Sequence, residues 1–259
     1  MTTFKDQCGR LINIPQAPQR IVSLVPSQTE LLYHLGLGSK VVGVTAYCVH
    51  PAEALQQKTI IGGTKNLQLD TIRNLKPDLI IGNKEENNKV DIDQLAKEFP
   101  VWISDIDTLD QATDMIERIG NLCQAQKAAE SLVHKIKSLA NQYPAKERTT
   151  ALYFIWKKPY MVCGQNTFIN SMMEQCGFTN VAPTKDERYP TLNFDEIAEI
   201  QPQTILLSSE PYSFTTSDLH HFGDKFPNCT IKIVDGELFS WYGNRMVNAL
   251  EYFSKIKPS

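Results

Sequence analysis

Two stretches of this 259-residue chain repeat one pattern at a constant offset of 125 residues. Gln68-Leu69-Asp70-Thr71-Ile72 leads through Leu75 and Pro77 into Leu79-Ile80-Ile81. Asn193-Phe194-Asp195-Glu196-Ile197 leads in the same way through Ile200 and Pro202 into Thr204-Ile205-Leu206. Each reads as a cap, a short helix with an early Asp, a proline stop and a buried strand. A fainter echo pairs Leu31-Leu32-Tyr33-His34-Leu35-Gly36-Leu37 with Met172-Met173-Glu174-Gln175-Cys176-Gly177-Phe178. Two echoes in the same order predict a duplicated α/β lobe.

The elements around these echoes fit that plan. A lead-in from Phe4 to Gln19, with a turn at Cys8-Gly9-Arg10, precedes a strand at Ile21–Val25. Pro26-Ser27-Gln28-Thr29-Glu30 then opens a helix, with Ser27 and Glu30 spaced as a capping box. Leu31, Leu32 and Leu35 form its buried stripe, Gly36 and Gly38 end it, and Val41–Thr45 is the next strand. A helix starts near Thr108, with Met115, Ile116, Ile119 and Leu122 at helical spacing. From Gln126 to Tyr143 no Gly or Pro interrupts a second stripe of Ala129, Leu132, Val133, Ile136 and Leu139. A helix of that length, roughly 27 Å, would join the lobes as a stiff connector. The expected architecture is two Rossmann-like α/β lobes, residues 1–124 and 145–259, joined by a rigid helix over 125–144, with a ligand cleft between the lobes.

Bulk properties exclude several classes. A formal charge of −3 lacks the basic stripe of a nucleic-acid binder. No apolar run approaches the roughly 20 residues that span a bilayer. Six scattered cysteines without a C-x-x-C read as reduced, mostly buried side chains. The N-terminal residues Met1 to Cys8 show no apolar leader core, so both export after leader removal and residence in the cytoplasm stay open.

No hydrolase elbow, Walker loop, dinucleotide fingerprint or H-E-x-x-H motif is present, and no enzymatic role is expected. Gly62-Gly63-Thr64-Lys65-Asn66 lacks the spacing of a phosphate loop and reads as a turn. Cys48 and His50 follow a strand and project to one side of an extended segment. Thiolate and imidazole suit a soft metal, and packing is the alternative. Tyr47, Trp156, Tyr160, Tyr189, Tyr212, Phe239, Trp241 and Tyr242 fall in or beside loops, where aromatic surface suits a large, partly apolar ligand. Arg245 adds a cation for a ligand carboxylate or phosphate, and Lys157 and Lys158 are further candidates. Asp70 and Asp195 occupy one position in equivalent helices. They serve the helix dipole, or present matched charges to a two-fold partner.

Asp6-Gln7-Cys8-Gly9-Arg10, the run from Pro18 through Ile21-Val22-Ser23-Leu24-Val25-Pro26-Ser27 to Glu30, Gly43-Val44, Lys76-Pro77-Asp78-Leu79-Ile80 and Gln201-Pro202 together resemble the class III periplasmic binding proteins. These are helical-backbone receptors of ABC transporters for cobalamin, haem and iron–siderophore complexes. The cobalamin-binding branch is the most similar. The resemblance implies a monomeric, non-enzymatic receptor of the periplasm or cell envelope, with no intrinsic cofactor. Its ligand would be a corrinoid or a ferric chelate, and its partner an ABC permease dimer with its ATPase. It puts cleft aromatics at Tyr47 (with Pro51), Trp156 and Tyr189-Pro190, and permease-docking acids at Asp70 and Asp195. Thr64 and Asn83 stand where the cobalamin branch has tryptophans, and Phe239 and Trp241 lie in a segment that departs from its counterpart. An iron–siderophore or haem receptor of the same fold is the first alternative. An intracellular metal-chelate binder or enzyme using Cys48 and His50 is the second.

Overall fold

The computed structural model describes residues 2–142, 148–183 and 187–256. Chain contacts divide it into two compact units. The first comprises Met1–Asp105, Asp110–Lys135 and Tyr242–Asn244, and the second Ile106–Leu109, Ile136–Trp241 and Arg245–Ser259. The sequence-expected boundary at 144/145 falls outside the described residues.

In the first unit, β1 (Thr2–Lys5) and β2 (Leu11–Ile14) form an antiparallel ribbon. The lead-in read as irregular is therefore a hairpin, whose four-residue strands are too short for periodicity to reveal. There follow β3 (Ile21–Ser23), α1 (Pro26–His34), a 3-10 turn, β4 (Val41–Val44), α2 (Ala52–Gln57), β5 (Thr59–Ile60), α3 (Leu69–Asn74), β6 (Leu79–Asn83), α4 (Lys89–Leu95), β7 (Val101–Ser104) and α5 (Leu109–Leu122). The five strands β3 to β7 run parallel in the order β5-β4-β3-β6-β7. Both faces are covered, so β6 is apolar and buried almost throughout instead of alternating.

The capping box expected at Ser27 and Glu30 is not formed. Val25 occupies the N-cap of α1, with no side-chain cap, and Pro26 takes the first turn. Proline costs nothing there, because its missing N–H would have no intrahelical partner anyway.

The 17-residue α6 (Gln126–Gln142) carries the chain from the first unit, through Lys135, into the second, from Ile136. The second unit then adds β8 (Thr149–Trp156), β9 (Met161–Val162), α7 (Phe168–Gln175), β10 (Phe178–Asn180), α8 (Phe194–Ile200), β11 (Thr204–Ser208), α9 (Thr216–Lys225), β12 (Thr230–Val234), α10 (Glu237–Ser240) and α11 (Arg245–Ile256). Its parallel strands follow the order β10-β8-β11-β12, with β9 antiparallel on β8.

The two sheets repeat one topology. Reading β8 for β3, β10 for β4, β11 for β6 and β12 for β7 turns one strand order into the other. Backbone geometry repeats with it. Lys76 and Gln201, each just before the proline of its echo, have φ of 46° and 52°. Positive φ is uncommon outside glycine, and it recurs here at matched positions of the two echoes. Gly36 and Gly177, with φ of 77° and 91°, end α1 and α7 in the left-handed conformation that glycine adopts without penalty.

Candidate functional site

In open parallel sheets, ligand-contacting loops gather at the carboxyl ends of the strands, where strand order reverses. That point lies between β3 and β6 in the first unit, and between β8 and β11 in the second.

In the first unit, Tyr47 follows β4 and is 62% exposed. Its ring lies over Gly63, where an added Cβ would stand 3.1 Å from the ring. Val49, also exposed, extends this apolar surface. The Gly62–Asn66 segment is a turn, closed by Gly63 N–H donating to Asn66 O at 3.1 Å. Its Thr64 is half-buried, and the Thr64 carbonyl accepts Asn87 Nδ2 at 3.1 Å.

Asn83, at the end of β6, is 3% exposed, and both polar atoms of its amide are hydrogen-bonded. Oδ1 accepts the backbone N–H groups of Glu85 (2.8 Å) and Glu86 (3.0 Å), while Nδ2 donates to Ser104 Oγ at 3.0 Å. Buried amides must satisfy such bonds internally, so Asn83 serves to build the loop. Asn87 supports the same loop, accepting Asn83 N–H at 2.9 Å. Sequence reasoning missed it, and an Asn pair after a buried strand was the only signal.

Cys48 is fully buried. Its thiol lies 3.2 Å from Thr29 Oγ1 and 3.3 Å from Thr45 Oγ1, and burial pushes its pKa up despite those hydroxyls. A thiol held protonated in a packed site is a poor metal ligand. Among the described residues no group of three or more His, Cys, Asp or Glu side chains is placed to hold a metal. The surroundings of Cys48 thus match the packing alternative, while His50 is half-buried on the same loop.

In the second unit, Trp156 ends β8 and is 41% exposed. Its indole meets Tyr212 edge-on at 5.9 Å, and Tyr212 meets Phe214 at 4.8 Å. Tyr189 is half-buried on a segment anchored at both sides, since Arg188 O accepts Gly164 N–H and Pro190 O accepts Val162 N–H. Trp241 is half-buried, with its Nε1–H donating to Glu210 Oε1 at 3.1 Å. Phe239 is 0% exposed, its ring 5.0 Å from Tyr153 and 4.7 Å from Phe253. It is a core residue, contrary to its expected ligand contact. Tyr160 joins a ring cluster with Phe154, Phe194 and Phe222, and Tyr242 is buried within the first unit. Loop position alone did not separate these from the outward aromatics.

Three cations of this unit pair with carboxylates, while Lys158 is exposed beside Trp156. Arg245 Nη1 lies 2.9 Å from Glu237 Oε2, and its guanidinium sits 5.0 Å from the centre of the Trp241 ring. Arg188 Nη2 lies 2.8 Å from Asp107 Oδ1, and Lys157 is paired with Asp218. Burial raises the Asp218 pKa, but the bonds from Lys157 and Thr215 outweigh it and hold the carboxyl below its usual range.

Asp70 and Asp195 each occupy the second position of their helices, α3 and α8, and both are exposed. Asp70 is 94% exposed and 2.8 Å from Arg73 Nη1. Two grooves of the first unit, about 480 and 330 Å³, lie around the β1–β2 ribbon instead of the aromatic strand ends.

Residues 21–225 match the family model described as periplasmic binding protein. The vitamin B12-binding protein of Vibrio cholerae is 29% identical over 211 residues, covering 80% of this chain and 76% of that protein. The crystal structure of the periplasmic vitamin B12 binding protein of Vibrio cholerae matches with a TM-score of 0.81 at 24% identity, covering 93% of this chain and 97% of that one. A periplasmic haem-binding protein from Roseiflexus sp. RS-1 matches with a TM-score of 0.75 at 23% identity, covering 91% and 97%. The last two likenesses concern the fold.

Proposed function

Since the chain belongs to the periplasmic binding protein family, we propose that it captures cobalamin or a related corrinoid on the carboxyl-end loops of its two units and delivers it to an ABC permease. The family consists of non-enzymatic solute receptors that work with ABC permeases in uptake. Its relatives are periplasmic, and we assign this protein to the same side of the membrane.

One observation carries the choice of ligand. Three cations of the second unit, Arg245, Arg188 and Lys157, are committed to carboxylates of their own unit. A ligand bearing carboxylates, such as haem or a ferric siderophore, would compete with those pairs for their cations, which is costly where the partner acid is buried, as Asp218 is. A corrinoid carries a broad apolar ring edged with neutral amides. Such a ring suits exposed aromatics like Tyr47 and Trp156. The vitamin B12-binding relatives support the same choice. Tyr47, Trp156, Tyr189 and Trp241 are the proposed ligand contacts, with Thr64 and Arg245 at the margin. Asp70 and Asp195 are the proposed docking points for the permease.

Calorimetric titration with cyanocobalamin and cobinamide tests this, with haem and ferric siderophores as competitors. Binding of a corrinoid alone is expected. Absence of heat with both corrinoids would overturn the ligand, and heat with haem or a ferric siderophore would replace it with the alternative cargo.

A further inference from the structure

We propose that Glu210 is the positioning residue for Trp241, fixing the orientation of the indole that the second unit presents to its ligand. The inference rests on the reading of Trp241 as a ligand contact.

Glu210 follows β11, and one of its oxygens does two jobs. Oε1 accepts Ser240 Oγ–H at 2.6 Å and Trp241 Nε1–H at 3.1 Å, so it fastens α10 and the residue after it to the β11 loop. The loop itself is tied down, since Ser208 Oγ accepts Glu210 N–H at 3.2 Å and donates to the Glu210 carbonyl. Gly236 lets the two segments come this close. A Cβ there would stand 2.5 Å from Glu210 Cγ and 2.9 Å from Glu210 N. With Arg245 over the indole and Glu237 bound to Arg245, Trp241 is held at its N–H and at its face. A charged acceptor makes the N–H contact stronger than a neutral one would be.

The same arrangement makes the clamp proton-sensitive. Burial raises the Glu210 pKa most, and the carboxylates of Glu237 and Asp235 raise it further, against the lowering bonds from Ser240 and Trp241. Tyr153, from β8, faces Glu210 and is neutral. Arg245, from α11, directs its charge at Glu237. Ionised Glu210 holds the indole N–H with a full charge, and protonation weakens that hold. The indole should loosen as pH falls through a midpoint above the ordinary glutamate range.

The test reads Trp241 directly, as the fluorescence difference between W156F and W156F/W241F proteins without ligand. The difference emission is expected to titrate with a midpoint above the ordinary glutamate range and to lose that titration in the Glu210→Gln background, which keeps shape and a neutral acceptor. Cyanocobalamin affinity should fall about ten-fold in Glu210→Ala and recover in part in Glu210→Gln, in line with loss and partial return of a charge-assisted bond. A Trp241 signal that is flat with pH, or that still titrates in Glu210→Gln, would overturn the positioning role. If the titration depends on Glu210 but the wild-type protein binds no corrinoid, the positioning role stands and the ligand assignment falls.

Discussion

Tyr47 and Phe239 are both aromatic residues beside loops, and their environments give them opposite roles. Tyr47 is mostly in water, so Tyr47→Ala should change folding stability by no more than about 0.5 kcal/mol. It should weaken cyanocobalamin binding about ten-fold or more, since one aromatic face would go unburied. Phe239 packs on Tyr153 and Phe253, and Phe239→Ala should cost about 3–5 kcal/mol, seen as a lower urea midpoint. An unchanged midpoint would contradict its place in the core. Both residues had the same sequence signal, because a loop label records chain position and not what lies above the ring. Asn83 was misread for a related reason. Its position in the family suggested the ligand, while its three amide bonds are to the loop that follows it.

The helices of the repeat share a pattern but differ in how their ends are held. Asn193 caps α8 in a complete capping box with Glu196, whereas Gln68 makes no cap bond to α3. Asn193→Ala should therefore cost about 1 kcal/mol in a denaturant titration, and Gln68→Ala distinctly less. Equal losses would show that the two ends are equivalent after all. The β7 edge shows another local device. Asp6, in the β1–β2 turn, accepts the Ile103 N–H and both Arg10 N–H and Nε–H, while Gln7 N–H donates to Ile103 O. The ribbon thus blunts an edge strand that would otherwise invite pairing with another chain. Asp6→Ala should destabilise the protein by about 1–3 kcal/mol and promote aggregation, measured by urea midpoint and light scattering. Neither strand of that ribbon was legible beforehand, since a four-residue strand is recognised by its partner and not by its own period.

For the whole molecule, the two units present one exposed Asp each at matched helix positions. If those acids meet arginines of a permease dimer, Asp70→Arg with Asp195→Arg should leave cyanocobalamin affinity within about two-fold and abolish stimulation of the transporter ATPase. Retained stimulation would remove both residues from the docking surface. The sequence by itself determined the repeated α/β plan, a long helix starting at Gln126 and the absence of any recognised catalytic motif, because these follow from periodicity, proline placement and spacing along the chain. Only the tertiary structure decided which aromatics face outward, that Asn83 and Cys48 are spent on their own unit, and that Arg245 and Lys157 are paired with Glu237 and Asp218. Those facts depend on which distant segments meet. Glu210 and Trp241, 31 positions apart, share a hydrogen bond that no local pattern encodes.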